Sequence, residues 1–96
     1  MKIFISGQIT GLELSTAQTV FNRAEAFLIE EGYRAVNPMK VTPYNPLWEW
    51  EHYMINGIKE LMECEAIYLL TGWHNSKGAR IEHNIAKEMG FKIIYE

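Results

Sequence analysis

Residues 66–95 read AIYLLTGWHNSKGARIEHNIAKEMGFKIIY, and this stretch decides the fold. Ala66–Leu70 is an unbroken apolar run, the pattern of a strand buried on both faces. Gly78–Met89 then repeats at the helical period. Ala79, Ile85, Ala86 and Met89 share one face, while Lys77, Arg80, Asn84, Lys87 and Glu88 take the other. Gly90 closes the helix, and Phe91–Tyr95 is a second apolar run. Two such runs joined through an amphipathic helix, without a hairpin turn, form a right-handed parallel β-α-β unit.

The unit extends toward the N-terminus. Lys2–Ser6 (KIFIS) is a short buried strand ended by glycine. Ser15–Glu31 is helical, with Ala17, Phe21, Ala24, Phe27 and Leu28 at spacings of three to four, Ser15 as N-cap and Gly32 beyond the C-terminus. Tyr33–Val36 is the next strand. Asn37–Leu47 holds all three prolines and reads as a loop. Trp48–Cys64 is helical, with Met54, Ile58, Leu61 and Met62 on one side. The order β-α-β-α-β-α-β predicts a single α/β domain over 1–96. It is a three-layer open parallel sheet, flavodoxin-like, with four strands in the order 2-1-3-4 and three helices. That order places the switch point between the first and third strands, whose C-terminal ends carry Ser6–Gly11 and Thr71–Gly78.

Composition excludes several classes. The chain has 96 residues, 48% hydrophobic and 22% charged, as in ordinary globular proteins. A net charge of -3 argues against binding a nucleic-acid polymer, which needs a basic patch. A small anion remains possible, because helix N-termini bind phosphate without net positive charge. One cysteine, Cys64, forms neither an internal disulfide nor a cysteine metal cluster. His52, His74 and His83 lack zinc-ligand spacing, so no metal and no cofactor is expected. With no membrane-length run and no leader pattern, the expected location is cytoplasmic. Four strands leave sheet edges and apolar faces poorly covered, which predicts a homo-oligomer.

Glu82 breaks the pattern of its own helix. It falls in the middle of the apolar stripe, where a free carboxylate costs several kcal/mol unless it is partnered, neutralised or lines a cavity. A structural reading has it snorkel or pair at the edge of the core; a functional reading puts it in the crevice. Ser6-Gly7-Gln8-Ile9-Thr10-Gly11 offers hydroxyls and close backbone approach to a ligand, or only a tight strand exit. It matches neither the dinucleotide fingerprint nor a Walker loop. Ser76 suits the N-cap of the last helix, with free N–H groups toward the crevice. Tyr44, Trp48 and Trp50 can supply an aromatic wall for a flat ligand, or pack the proline loop onto the body. Glu49 and Glu51 suit the first turn of the second helix.

Taken together, these residues resemble the nucleoside 2-deoxyribosyltransferase superfamily, which includes the deoxynucleoside 5′-monophosphate N-glycosidases and many small phage and bacterial proteins. The resemblance covers nearly the whole chain. It is carried by Ile3–Gly11 (IFISGQITG), by Asn37-Pro38 and, most specifically, by Ser76-x-Gly78-x-x-x-Glu82 before an alanine-bearing helix and Gly90. It implies that Glu82 is the nucleophile attacking C1′ of the sugar, and that Ser76 binds the 5′-phosphate. It places Ser6, Gly7, Ile9, Thr10, Gly11, Asn37, Asn56, Trp73 and Gly78 around a small nucleoside or nucleotide. Where active relatives carry an aspartate, this chain reads Tyr53-Met54-Ile55-Asn56-Gly57-Ile58, without an acid. Two functions follow as expectations: cleavage of an N-glycosidic bond through Glu82, or a non-catalytic nucleotide-binding module of the same fold, a phage regulator or sponge.

Overall fold

The computed structural model describes all residues, Met1–Glu96. Its elements are β1 (Lys2–Ser6), α1 (Leu14–Glu30), β2 (Arg34–Val36), α2 (Pro38–Val41), α3 (Trp50–Met62), β3 (Ala66–Leu69), α4 (Lys77–Glu88) and β4 (Lys92–Tyr95), with a 3₁₀ turn at Trp73–Asn75. The four strands are all parallel, in the order β2-β1-β3-β4. Phe4 pairs with Val36 on one side and Ile67 on the other, and Ile67 pairs with Ile93. The expected α/β architecture and strand order are therefore present.

Strand alternation divides the core into two layers. Ile3, Ile5, Ala66, Tyr68 and Leu70 face α1 and pack on Phe21, Ala24 and Leu28. Phe4, Ile67 and Leu69 face the other way, onto Leu61 of α3 and Ala86 of α4. Ile3, Phe4 and Ile5 are fully buried, and each such side chain contributes roughly 1.5–3 kcal/mol. The same alternation puts Ser6 on the Phe4 face, toward α4. Gly7 follows because β1 exits hard against β3. A Cβ there would lie 2.7 Å from Leu70 Cδ1 and 2.9 Å from Leu70 Cβ, so only glycine fits.

Several local expectations are corrected. The helices number four, because Pro38–Val41 forms a helical turn inside the predicted proline loop. Asn37 caps it by accepting a hydrogen bond from the Met39 N–H (3.0 Å), and Pro38 occupies the first helical position, where its missing N–H costs nothing. Ser15 is not the N-cap of α1. The helix begins at Leu14 with Glu13 in the cap position, and the Ser15 hydroxyl donates to Glu13 Oε1. At the other end Gly32 adopts φ +91°, and Tyr33 N–H returns to the Leu28 carbonyl, a Schellman closure. α3 begins at Trp50 rather than Trp48, with the Glu49 N–H donating to His52 Nδ1. Its buried stripe includes Gly57 and Leu61, while Met62 is exposed. Met89 is 52% exposed, because α4 ends at Glu88 and its inward face is Ala79, Glu82 and Ala86. No helix is long and apolar enough to cross a membrane.

Candidate active site

The switch point between β1 and β3 opens a cleft of about 290 Å³ at the carboxyl end of the sheet, near the lower end of the range for small-molecule sites. β1 and its exit loop supply Ser6, Gly7, Ile9 and Thr10. α1 adds Leu14, Gln18 and Phe21; the segment after β2 adds Pro38, Met39, Thr42 and Tyr44. α3 contributes Trp50, Tyr53, Met54 and Gly57. These positions recur at i, i+3, i+4 and i+7, so one face of the helix looks into the cleft. α4 completes the lining with Ser76, Gly78, Ala79 and Glu82.

Glu82 is only 9% exposed. Its Oε1 accepts a 2.7 Å hydrogen bond from the Ser6 hydroxyl. Burial pushes its carboxyl up to about 7, against the opposing pull of that hydrogen bond. Buried carboxylates with so raised an affinity for the proton are candidates for a functional site. Oε2 lies toward α3, where a Cβ on Gly57 would come within 2.8 Å of it. Gly78 admits Met54 in the same way: a Cβ there would meet the Met54 sulfur at 2.8 Å. Two glycines, one on each helix, therefore let α3 and α4 close over the carboxylate.

Ser76 caps α4, its Oγ accepting from the Ala79 N–H at 3.1 Å. The first-turn amides of Lys77 and Gly78 have no acceptor within the helix. Beside them runs a small shelf lined by Thr10, Trp50, Asn75, Ser76, Lys77 and Gly78. The Lys77 ammonium lies 4.8 Å from the centroid of the Trp50 ring, a cation–π contact that ties α4 to α3 across the shelf. Hydroxyl, free amides, dipole and ammonium all suit an anion here. No group of three or more His, Cys, Asp or Glu side chains converges anywhere in the chain.

Of the expected site residues, Ser6, Gly7, Ile9, Thr10, Ser76, Gly78 and Glu82 line the cleft. Four do not. Gly11 holds a turn at φ +90° outside the lining. Asn37 is buried as a clamp: its amide donates to Asn22 Oδ1 (3.0 Å) and Glu25 Oε1 (3.2 Å), and Lys40 pairs with Glu25 at 2.7 Å. Asn56 is rotated off the cleft face by one residue, and Gly57 stands there instead. Trp73 is turned the other way. Gly72 at φ +86° starts the 3₁₀ turn, and the indole packs with His83 and Tyr95 beside β4. Of the proposed aromatic wall, Tyr44 and Trp50 line the cleft. Trp48 stacks on His52 and meets Tyr53 edge-on outside it. Tyr53, Met54 and Gly57 were readable from the helical period of α3. Leu14, Gln18 and Phe21 share the same helical spacing on α1, but only the packing of that helix directs them to the cleft.

The model of a family described as a domain of unknown function (DUF4406) matches residues 1–95. Among solved structures, the chain is similar to the 2-deoxyribosyltransferase of Bacillus psychrosaccharolyticus, with a TM-score of 0.75 at 15% identity; the match covers 99% of this chain and 71% of that one. It is also similar to the CMP N-glycosidase BcmB of Clostridium botulinum, with a TM-score of 0.64 at 20% identity, over 99% of this chain and 67% of that one. No curated protein matches in sequence. At these identities the likeness is one of fold, and the fold is nucleoside 2-deoxyribosyltransferase-like.

Proposed function

We propose that this chain, which belongs to the DUF4406 family, cleaves the N-glycosidic bond of a nucleoside or nucleotide with Glu82 as nucleophile. One observation carries the reading: a buried carboxylate, raised to about 7, opens into a cleft next to a helix N-terminus suited to phosphate. Departure of the base develops positive charge at C1′, and a carboxylate beside it stabilises that charge and traps it as a glycosyl ester. Ser6 orients Glu82 through Oε1, leaving Oε2 as the attacking atom. The shelf at Ser76 would seat a 5′-phosphate, fixing the sugar over the carboxylate and converting binding energy into orientation. Water, or a second base, then releases the sugar from the ester.

The test is incubation with deoxynucleosides and their 5′-monophosphates, followed by chromatography for free base, with Glu82→Gln as control. Base release by the wild type and not by the variant supports the reading. A second reading, ligand retention without cleavage, is favoured by one feature: Glu82 is the only acid lining the cleft. Tight binding without base release from any substrate would establish it.

A further inference from the structure

The lining of the cleft contains one carboxylate and no histidine, lysine or arginine. Lys77 belongs to the adjoining shelf and is held over Trp50. The hydroxyl of Tyr53 donates to the Asn45 carbonyl and accepts from the Asn45 N–H, both at 2.7 Å, so its proton is committed. Tyr44 stands 70% exposed at the rim. The wall facing Glu82 has no space for another acid, because Gly57 already abuts Oε2 and Met54 fills the notch at Gly78. Ser6, Thr10, Gln18, Thr42 and Ser76 supply only neutral polar groups.

An uncharged nucleobase must gain a proton as it leaves, and a positioned acid typically supplies it. A base that is already a cation needs none. Its ring nitrogen takes the bonding electron pair and departs neutral. Tyr44 and Tyr53 line the space beside Trp50, whose ring already carries the Lys77 ammonium, and an aromatic ring attracts a cation over its face. We infer that the cleft is built for a cationic N-glycoside: a nucleoside or nucleotide whose base bears a positive charge before the bond breaks, as in a pyridinium or an N7-alkylated purine. The inference rests on Glu82 as nucleophile and adds the charge of the leaving group.

The step balances without a further reactant. Glu82 Oε2 bonds to C1′ as the C1′–N bond breaks, and both electrons of that bond neutralise the ring. Water then attacks C1′ of the ester, restoring the carboxylate, and the proton lost by water passes to solvent. One cationic substrate and one water thus yield a neutral base, a sugar hydroxyl and one proton.

The experiment uses a matched pair: 7-methyl-2′-deoxyguanosine 5′-monophosphate and 2′-deoxyguanosine 5′-monophosphate, which differ by one methyl group and one charge. Nicotinamide mononucleotide serves as a second cationic probe. Base release is followed for the wild type and for Glu82→Gln, whose rate defines the background. An enzyme that donates a proton narrows the gap between the pair; one that does not preserves it. The expected kcat/KM above background is at least about a hundredfold higher for the methylated member, the scale of a missing general acid. With nicotinamide mononucleotide in weak buffer, one proton should appear per base released. Equal or faster cleavage of the unmethylated member overturns the inference and leaves Glu82 as nucleophile. No release above background from any of the three overturns the inference, and the glycosidase reading then stands or falls separately on base release from the deoxynucleoside and 5′-monophosphate panel by the wild type and not by Glu82→Gln.

Discussion

Replacing Glu82 with glutamine should remove a pH dependence of folding whose sign is opposite to that of ion-paired carboxylates. Burial raises the group from 4.5 to about 7 in the folded protein. The folded state therefore binds the proton more tightly than the unfolded state. Between these two values the native protein holds more protons, so stability falls as pH rises. The contribution of neutral Glu82 is fully present below about 4.5 and is lost as pH climbs through 7. At about 1.4 kcal/mol per unit, the shift corresponds to roughly 3 kcal/mol at pH 8. That is a large share of the roughly 5–15 kcal/mol that holds a typical domain together.

Glutamine copies the shape of the protonated acid and can still accept the Ser6 hydroxyl, but it does not ionise. Urea unfolding at pH 4.5 should find the two proteins within about 1 kcal/mol of each other, the scale of one altered hydrogen bond. At pH 8 the variant should be the more stable by about 3 kcal/mol. With a slope near 1.5 kcal/mol per M, its midpoint moves up by about 2 M. Groups elsewhere titrate equally in both proteins and cancel in the difference. A difference that stays constant from pH 4.5 to 8 would refute the reasoning, because Glu82 would then be hydrated or paired in solution. The same variant should lose base release by several orders of magnitude, since an amide forms no glycosyl ester.

The pH–rate profile of the wild type should rise through about 7 in kcat/KM, as Glu82 must ionise before attack; a profile flat from pH 5 to 8 would assign the chemistry elsewhere. Ser76→Ala should weaken 5′-monophosphates by about tenfold to a hundredfold, the value of a hydrogen bond to a charged group, and nucleosides much less; titration calorimetry of both ligand types distinguishes a phosphate contact from a plain cap. Gly57→Ala should lower activity and cost about 1–3 kcal/mol, because its Cβ meets Glu82 Oε2 at 2.8 Å and either the carboxylate or α3 must move; full activity together with unchanged thermal unfolding would show that the two helices are loosely packed.

Most of the fold was legible in the chain because its signals are local and strong. Buried parallel strands read as short apolar runs, and Gly32 and Gly90 mark helix ends with positive φ. The errors lie where two local signals compete. Three prolines suggested loop, yet Asn37-Pro38 is also a cap followed by a first-turn proline, and a short helix forms there. Ser15 is a good cap residue, but the helix starts one residue before it.

The site divides along the same line. Sequence by itself determined that a carboxylate sits on the inward face of the last helix, near Ser76 and the glycine loop, because helical and strand periods convert spacing into direction. It did not determine which nearby polar residues join the cleft. Asn56 and Gly57 are adjacent in the chain, yet a turn of about 100° places one on the lining and the other off it. Trp73 and Ser76 share a loop, yet the left-handed Gly72 sends the indole to β4 and leaves the hydroxyl at the cleft. The Ser6–Glu82 hydrogen bond and the contact of Gly57 with Oε2 join segments far apart in sequence. Only the packing of α3 and α4 against β1 decides such contacts, since the distance between helices depends on every side chain between them.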